Sequence, residues 1–300
     1  ILSIDGGGVR GIISIRLLQR IEKEVPGFIA KADFLAGTST GAIICLCLAS
    51  GMPLNNLFDW YYEKSKEIFS RSALRAAGLQ TVAAKYDNAI LKKLLEKILG
   101  DITLGDLYKN VLISSFDLDT YDGNGRRMYR TKFFHNLRGR DTDDLHLKAV
   151  DVALYSSAAP TFFPSYGGFV DGGIVVNNPS MAAVAEALDP HTIPAVCLDD
   201  IRLMSLGSGK VAAYIEGDRL DWGFARWATK LIEMMMNGSV DITDYECRQL
   251  LREHYIRVNP YLDGNFKLDA IDSVDKMIEV ADTYDITRHV EWAKNVYMEP

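Results

Sequence analysis

The sequence predicts an α/β protein of three layers, in which a mostly parallel central sheet lies between two layers of helices. Two units of strand, glycine-rich turn and helix follow one another at the start of the chain. Strand-like and helix-like segments go on alternating after them, without a repeat or a low-complexity tract. This alternation is typical of a sheet that helices cover on both faces.

The first two units define the start of the fold. Ile1 to Ile4 form an apolar run that predicts a buried strand, and the helix after it, with apolar residues at helical spacing, stops at Pro26. A second short strand, from Asp33 to Ala36, leads through the turn Gly37 to Gly41 into an apolar helix that ends near Gly51. Each glycine-rich turn therefore joins the end of a strand to the start of a helix.

Residues 54–109 predict a helical, lid-like insertion. Leu91, Leu94 and Leu95 make an amphipathic stripe in its second half. The aromatic run from Trp60 to Tyr62 lies in its first half, and rings with polar edges suit membrane boundaries. These side chains either pack into the core or belong to a lid that faces lipid.

The remaining segments predict a hairpin, further strands and further helices. They are strands 111–116 and 127–134, a helix from about Leu145 to Ala159, a strand that leads from Phe169 into Asp171, a helix opened by Pro179, strand 201–206, a helix at about 221–236, strand 254–258 and a helix at about 271–297. Because no linker divides them, residues 1–300 predict one domain. Its diagnostic motifs lie in about residues 1–210, and residues 211–300 are less diagnostic.

The composition narrows the classes of partner. The chain has 300 residues, of which 48% are hydrophobic and 24% charged, and its net charge is −7. An acidic chain gives no reason to expect nucleic acid as a partner, because phosphate binding usually needs a basic surface. A local apolar or basic rim could still dock on a membrane surface, although no apolar stretch reaches the ~18–20 residues that span a bilayer.

The cysteines bear on the compartment. None of the four belongs to a Cys-x-x-Cys pair or a zinc pattern, which predicts free thiols. Free thiols favour a reducing compartment, so we expect a cytoplasmic or peripheral membrane protein. Because the sequence begins at Ile1, inside a predicted strand, a signal peptide upstream stays open.

The candidate nucleophile is Ser39, in the pentapeptide Gly37-Thr-Ser-Thr-Gly41. It lies between a short apolar strand and an apolar helix, which is the setting of a nucleophile elbow. The two glycines suit a tight turn, and the amides at the start of the helix favour negative charge at the site. A serine that only caps the helix is the alternative.

A serine nucleophile needs a base, and histidine is the usual one. None of the five histidines lies in a glycine-rich turn at the carboxyl end of a strand; they are His135, His146, His191, His254 and His289. Asp171 does lie in such a turn, before Gly172 and Gly173. A buried carboxylate there can act as general base, and an aspartate that only stabilises an Asp–Gly turn is the alternative.

A glycine-rich loop supplies the third element. Gly6, Gly8 and Gly11 fit the Gly-x-Gly-x-x-Gly pattern of dinucleotide-binding folds, but the next strand ends in Ala36 and Gly37, without the carboxylate that holds a ribose. The loop fits an oxyanion hole better. Consecutive glycine amides can converge on one oxygen, and Arg10 can anchor the loop or balance its charge.

Together these motifs resemble the patatin-like phospholipase family. The matching segments are Asp5-Gly-Gly-Gly-Val-Arg-Gly11, Gly37-Thr-Ser-Thr-Gly41 and Asp171-Gly-Gly173, with further similarity at Lys85–Asp87, Ser156–Pro164, Asn177–Pro179 and Ser205–Gly209. The resemblance spans roughly residues 1 to 210. It implies a modified α/β/α fold and a Ser–Asp dyad that hydrolyses acyl esters of lipids without calcium, other metal or cofactor.

The resemblance also implies a role for each motif residue. Ser39 and Asp171 are the expected dyad; Gly6, Gly7 and Gly8 form the expected oxyanion hole, which Arg10 supports; Gly11, Gly37, Gly41, Gly172 and Gly173 are motif glycines. The family covers phospholipids, lysophospholipids, galactolipids and neutral glycerides, and the sequence selects none of them. The sequence also leaves open the oligomeric state and whether a regulatory ligand or a protein activator exists. Three alternatives stay open: a Ser–His–Asp esterase, a nucleotide-binding protein that uses the loop Gly6–Gly11, and a non-enzymatic lipid-binding scaffold.

Overall fold

A sheet of seven strands organises the chain. It is seen in a computed structural model that describes residues 1–69, 83–139, 143–192, 194–212, 214–264 and 266–299. The strands are β1 Leu2–Ile4, β2 Phe34–Thr38, β3 Asn110–Tyr121, β4 Arg127–His135, β5 Phe169–Asp171, β6 Leu203–Leu206, β7 Lys210–Val211, β8 Tyr255–Val258 and β9 Tyr261–Leu262. β7 and β9 pair with each other outside this sheet.

The sheet is mostly parallel. Its order is β4-β3-β2-β1-β6-β8, and the five strands from β3 to β8 in that order run parallel. β4 and β5 both pair antiparallel with β3. The predicted hairpin is thus formed by β3 and β4.

The helices lie on both faces of the sheet. They are α1 Gly11–Glu24, α2 Phe28–Lys31, α3 Thr40–Ala49, α4 Leu54–Ile68, α5 Asn88–Leu99, α6 Ala149–Ser157, α7 Ser180–Ala187, α8 Phe224–Leu251, α9 Val274–Thr283 and α10 Thr287–Trp292. Phe34 and Ala36 of β2 pack with Ala183 of α7 on one face, whereas Leu35 packs in a larger core with residues of α1 and α3 on the other. This alternation follows from the two-residue period of a strand. The predicted three-layer α/β fold is confirmed.

The predicted insertion at residues 54–109 consists of α4 and α5 in its described part, and residues 70–82 lie outside the described residues. The leucine stripe of α5 is buried in the main core, which is the packing alternative stated above. Of the aromatic run, Tyr61 is buried, Trp60 is half-buried and Tyr62 is 43% exposed. Only Tyr62 therefore has the exposure that a lipid-facing position needs.

One helix is longer than predicted. The sequence predicts a helix at about 221–236, but α8 passes through Gly238, continues to Leu251 and has 28 residues. Glycine inside a helix costs up to about 1 kcal/mol relative to alanine. Cys247 and Leu251 in the added turns are buried against residues of α7, β6 and β8. This burial outweighs the cost of Gly238, so the helix passes through it.

The pairing of β2 and β5 with β3 brings the carboxyl ends of these two strands together. Thr38, the last residue of β2, pairs with Ser114, and Asp171, the last residue of β5, pairs with Ser115. β2 runs parallel to β3 and β5 runs antiparallel to it, so their carboxyl ends meet at adjacent positions along β3. The residue that follows β2 therefore lies next to Asp171.

Candidate active site

Ser39 occupies the turn between β2 and α3. Its backbone has φ 54° and ψ −120°, a conformation that L-residues rarely adopt. A methyl group built on Gly37 would lie 2.4 Å from the carbonyl oxygen of Gly41, and one built on Gly41 would lie 2.1 Å from that of Ile4. Both positions require glycine because the start of α3 passes this close to β1 and β2.

A buried hydroxyl stabilises the strained turn. Ser156, on α6, accepts a hydrogen bond from the Ser39 amide at 2.8 Å and donates one to the carbonyl of Ser114 at 2.7 Å. Ser156 is fully buried, so water cannot replace its hydroxyl as the partner of the Ser39 amide without a rearrangement. Strain in the backbone of Ser39 thus persists because the surroundings hold it.

Asp171 lies within hydrogen-bonding distance of the nucleophile. Ser39 Oγ donates to Asp171 Oδ2 at 2.6 Å, and the Gly173 amide donates to Oδ1 at 2.7 Å. Burial raises the pKa of Asp171 from 3.8 to about 6, against the opposing effect of these two hydrogen bonds. A carboxylate with this pKa is a stronger base than an exposed one and is still ionised at neutral pH.

The raised pKa predicts how activity changes with pH. Only the ionised form of Asp171 can accept a proton from Ser39, so kcat/KM for an ester should fall as the pH drops through about 6. The measurement is a pH profile from 4.5 to 8. Because histidine also titrates near this pH, the profile is repeated with each of the five histidines replaced singly by glutamine. A fall that disappears in any of these variants would assign the titration to histidine.

The histidines lie away from this site. His191 is exposed and pairs with Asp189, and the ring of His289 contacts the carbonyl of Arg257. His135 is buried at the end of β4, while His146 and His254 lie in short 3-10 turns. None of the five, all of which the structure describes, lines the pocket that Ser39 and Asp171 share.

The glycine-rich loop follows β1, and the structure differs from the prediction at its first amide. Gly6 donates to the carbonyl of Asn177 at 3.0 Å, so this N–H is already used by the protein. Among the described residues, the amides of Gly7 and Gly8 have no acceptor, and both residues line the pocket with Ser39. Two of the three predicted donors are therefore free.

Arg10 lies at the end of the glycine-rich loop. Its Nε is buried and has no partner in the part of the chain described here. Burial lowers the pKa of Arg10 to about 10, against the opposing effect of the carboxylates of Glu233 and Asp5. The side chain is therefore still a cation at neutral pH. The support that Arg10 gives the loop stays a prediction.

Distant residues hold the loop, and the sequence alone did not reveal them. Arg257 of β8 makes a buried ion pair with Asp5, with Nη2 at 2.5 Å from Oδ2 and Nη1 at 3.2 Å from Oδ1. Tyr61 donates from its hydroxyl to the carbonyl of Gly8 at 2.5 Å. The loop amide of Val9 donates to the carbonyl of Leu268 at 2.8 Å.

The pocket beside the dyad is apolar. It has an empty volume of about 790 Å³, part of which is open to solvent. Its apolar lining residues include Ile43, Ile68, Phe69, Leu91, Phe162 and Phe163. A hydrocarbon chain can be buried here next to the nucleophile without leaving polar groups unpaired.

Comparison with known proteins identifies the family of the chain. Residues 2–184 match the family model described as patatin-like phospholipase. The chain belongs to this family. As a patatin-like phospholipase, it is a lipid acyl hydrolase.

Relatives of this patatin-like phospholipase occur in bacteria and plants. It is 31% identical to a cGAMP-activated phospholipase of Pseudomonas aeruginosa, in a match that covers 86% of this chain and 77% of that protein. It is 27% identical to patatin-like protein 2 of Arabidopsis thaliana, with 86% and 74% covered. Among solved structures, VipD from Legionella pneumophila matches with a TM-score of 0.39 and 14% identity, over 93% of this chain and 66% of that one.

Two further findings concern the described residues of this patatin-like phospholipase. No helix there combines the length and the apolar character that crossing a membrane requires. No cluster of three or more histidine, cysteine, aspartate or glutamate side chains there could hold a metal ion.

Proposed function

We propose that this patatin-like phospholipase is a serine carboxylic-ester hydrolase of phospholipase A or lysophospholipase type, with Ser39 as nucleophile and Asp171 as general base. The proposal rests on the 2.6 Å hydrogen bond from Ser39 Oγ to Asp171 Oδ2, in the wall of an apolar pocket. At this distance the base can take the proton directly from the nucleophile.

In the first half of the proposed reaction, Ser39 Oγ attacks the carbonyl carbon of the ester while Asp171 accepts the hydroxyl proton. The negative charge that develops on the carbonyl oxygen is stabilised by the free amides of Gly7 and Gly8 and by the N-terminus of α3. Asp171 then gives its proton to the leaving alcohol or lysolipid. The acyl group stays on Ser39 as an ester.

In the second half, a water molecule attacks the acyl ester of Ser39. Asp171 accepts a proton from this water and then returns it to Ser39 Oγ as the fatty acid leaves. The same two amides stabilise the second oxyanion. The dyad thus ends the cycle in its starting protonation state.

The substrate class follows from the shape of the pocket. Because its lining is mostly aliphatic and aromatic, we propose that the acyl chain binds in it and that the polar part of the lipid lies toward solvent. Burying one methylene group contributes about 0.8 kcal/mol, so an ester with a long acyl chain should bind more tightly than one with a short chain.

The experiment is mass spectrometry of the products from a mixed panel of phospholipids, lysophospholipids, galactolipids and glycerides. The intact protein should release fatty acids and should be labelled at Ser39 by a fluorophosphonate. Ser39→Ala should release none and take up no label, because the proposed carrier of the acyl chain is removed. Ser50→Ala is the matched control, since Ser50 donates to the carbonyl of Cys47 away from the pocket. Products formed by Ser39→Ala at the unmodified rate would refute the proposal.

We include a regulatory ligand in the proposal because the Pseudomonas relative is named for activation by cGAMP. The same panel is therefore run with and without cGAMP. A rate that rises only in its presence supports such a ligand, and an unchanged rate removes this part of the proposal.

A further inference from the structure

The two free amides of the glycine loop are oriented in different ways. A peptide unit is planar and trans, so the N–H of one residue points opposite to the C=O of the residue before it. The direction of the Gly7 amide is therefore fixed by whatever holds the Gly6 carbonyl, and that of the Gly8 amide by whatever holds the Gly7 carbonyl.

Backbone alone fixes the Gly8 amide. The carbonyl of Gly7 accepts the N–H of Arg10 at 3.2 Å, which is the hydrogen bond of the short 3-10 turn at the start of α1. Any sequence that forms this turn holds the peptide between Gly7 and Gly8 in the same plane. No side chain is needed for this donor.

A side chain fixes the Gly7 amide. Ser208, in the turn after β6, donates from Oγ to the carbonyl of Gly6 at 2.9 Å. Among the described residues, the other donor to this oxygen is Asn177 Nδ2, which is 3.4 Å away and contributes little at that distance. Ser208 is 4% exposed, so water cannot take the place of its hydroxyl without a rearrangement.

Packing places Ser208 directly on the loop. A methyl group built on Gly7 would lie 2.1 Å from Ser208 Oγ. Gly7 therefore has to be glycine for the hydroxyl to reach the Gly6 carbonyl behind it. Two residues about 200 positions apart in the sequence form one contact beside the nucleophile.

We infer that Ser208 is a positioning residue, which directs the Gly7 amide at the oxyanion by holding the Gly6 carbonyl on the opposite side of the same peptide. The inference rests on the function proposed above. Without the hydroxyl, the Gly6–Gly7 peptide can rotate, and its carbonyl oxygen then competes for the space in which negative charge develops. One of the two free donors is lost in that rotated state.

The turn that carries Ser208 does not depend on its hydroxyl. The Gly207 amide donates to the carbonyl of Val258 at 2.8 Å, and the Gly209 amide donates to Asn259 Oδ1 at 2.9 Å. Ser14 also donates to the Gly207 carbonyl at 3.0 Å. Replacing Ser208 by alanine should therefore leave the turn in place, so its effect on turnover can be measured on folded protein.

The test compares Ser208→Ala with the unmodified protein and with Ser50→Ala as control. Loss of one oxyanion donor should lower kcat on the order of 10²-fold with little change in KM. A trifluoromethyl ketone with a fatty acyl tail forms a tetrahedral oxyanion on Ser39, and its affinity should fall by the same factor as kcat/KM. The corresponding methyl ether, which forms no oxyanion, should bind equally well to all three proteins.

Each outcome decides the inference separately from the proposed function. Absent hydrolysis and labelling in the unmodified protein would refute the proposed function itself. With both present, an unchanged kcat in Ser208→Ala overturns the positioning role. The positioning role is also overturned if the affinity for the ketone is unchanged and the loss of kcat in Ser208→Ala equals the decrease in the fraction of protein that the fluorophosphonate labels. If Ser208→Ala does not fold, Ser208→Cys, a weaker donor of similar shape, replaces it, and failure of both to fold makes the role purely structural.

Discussion

Replacing Asp171 by asparagine is expected to lower turnover on the order of 10³-fold and, at neutral pH, to make the protein more stable. Asparagine has nearly the same shape as aspartate and can still accept the Gly173 amide, but it cannot take the proton of Ser39. General-base catalysis is typically worth 10²–10⁴-fold, which sets the expected loss. The measurement is hydrolysis of a chromogenic acyl ester at pH 7.5.

The stability gain follows from the direction of the pKa shift. Burial raises the pKa of Asp171 from 3.8 to about 6, so the folded state holds a proton at pH values where the unfolded chain has lost it. The stabilising effect of that proton is complete below pH 3.8 and is lost as the pH rises through about 6. Above that range the buried carboxylate costs about 3 kcal/mol, and Asp171→Asn avoids this cost.

Urea denaturation at several pH values tests this directly. The difference in unfolding free energy between Asp171→Asn and the unmodified protein should be small at pH 3.5, should grow between pH 4 and 6, and should then stay constant. A difference that does not vary with pH would mean that burial does not raise the pKa of Asp171. Turnover retained at pH 7.5 would mean that another group is the base.

Replacing Gly41 by alanine is expected to destabilise the fold by about 3 kcal/mol or more and to abolish activity. The added methyl group would lie 2.1 Å from the carbonyl oxygen of Ile4, the last residue of β1, and 2.8 Å from that of Asp5, which follows β1. α3 has to move away from β1 to accept it. Because Ser39 precedes α3 directly, this movement also takes the nucleophile away from Asp171.

Gly238→Ala serves as the opposite control for that experiment. Gly238 lies inside α8, and a methyl group built on it meets no atom of the described residues within 4 Å outside the adjoining helix backbone. Alanine there should raise the unfolding free energy by up to about 1 kcal/mol, because glycine is the poorer helix former. Urea denaturation compares both variants with the unmodified protein. Similar effects of the two substitutions would contradict the close approach of α3 to β1.

The sequence was most informative where a short segment determines its own structure. The strand–turn–helix around Ser39 could be predicted from three small residues between an apolar strand and an apolar helix, and the fold class follows from two such units. The end of α8 could not be predicted, because burial of Cys247 and Leu251 against other elements outweighs the local preference of Gly238. Local propensity favours an earlier end of the helix and tertiary packing favours its continuation, and the effect of packing is the larger one.

The supporting contacts of the site were beyond prediction for a different reason. Arg257 pairs with Asp5 across 252 positions, and Ser208 reaches Gly6 across 202. Arg257 has no local pattern that distinguishes it from an ordinary buried arginine. Ser208 lies in a segment that resembles the family, Ser205–Gly209, but nothing local in that segment indicates a contact with Gly6. The prediction of Gly6 as an oxyanion donor failed for the same reason. Its amide donates to the carbonyl of Asn177, which is distant in the sequence.

The pairing of β5 with β3 makes enzymatic activity a measure of correct folding. Successive residues of a strand point to opposite faces, so a slip of β5 by one residue would turn Asp171 away from Ser39, and a slip by two would move it by almost 7 Å. β5 has only three residues, so slipped molecules could keep the pairing of the other strands of the sheet. Titration with a fluorophosphonate would then measure the number of molecules in which β5 pairs with β3 in the native register.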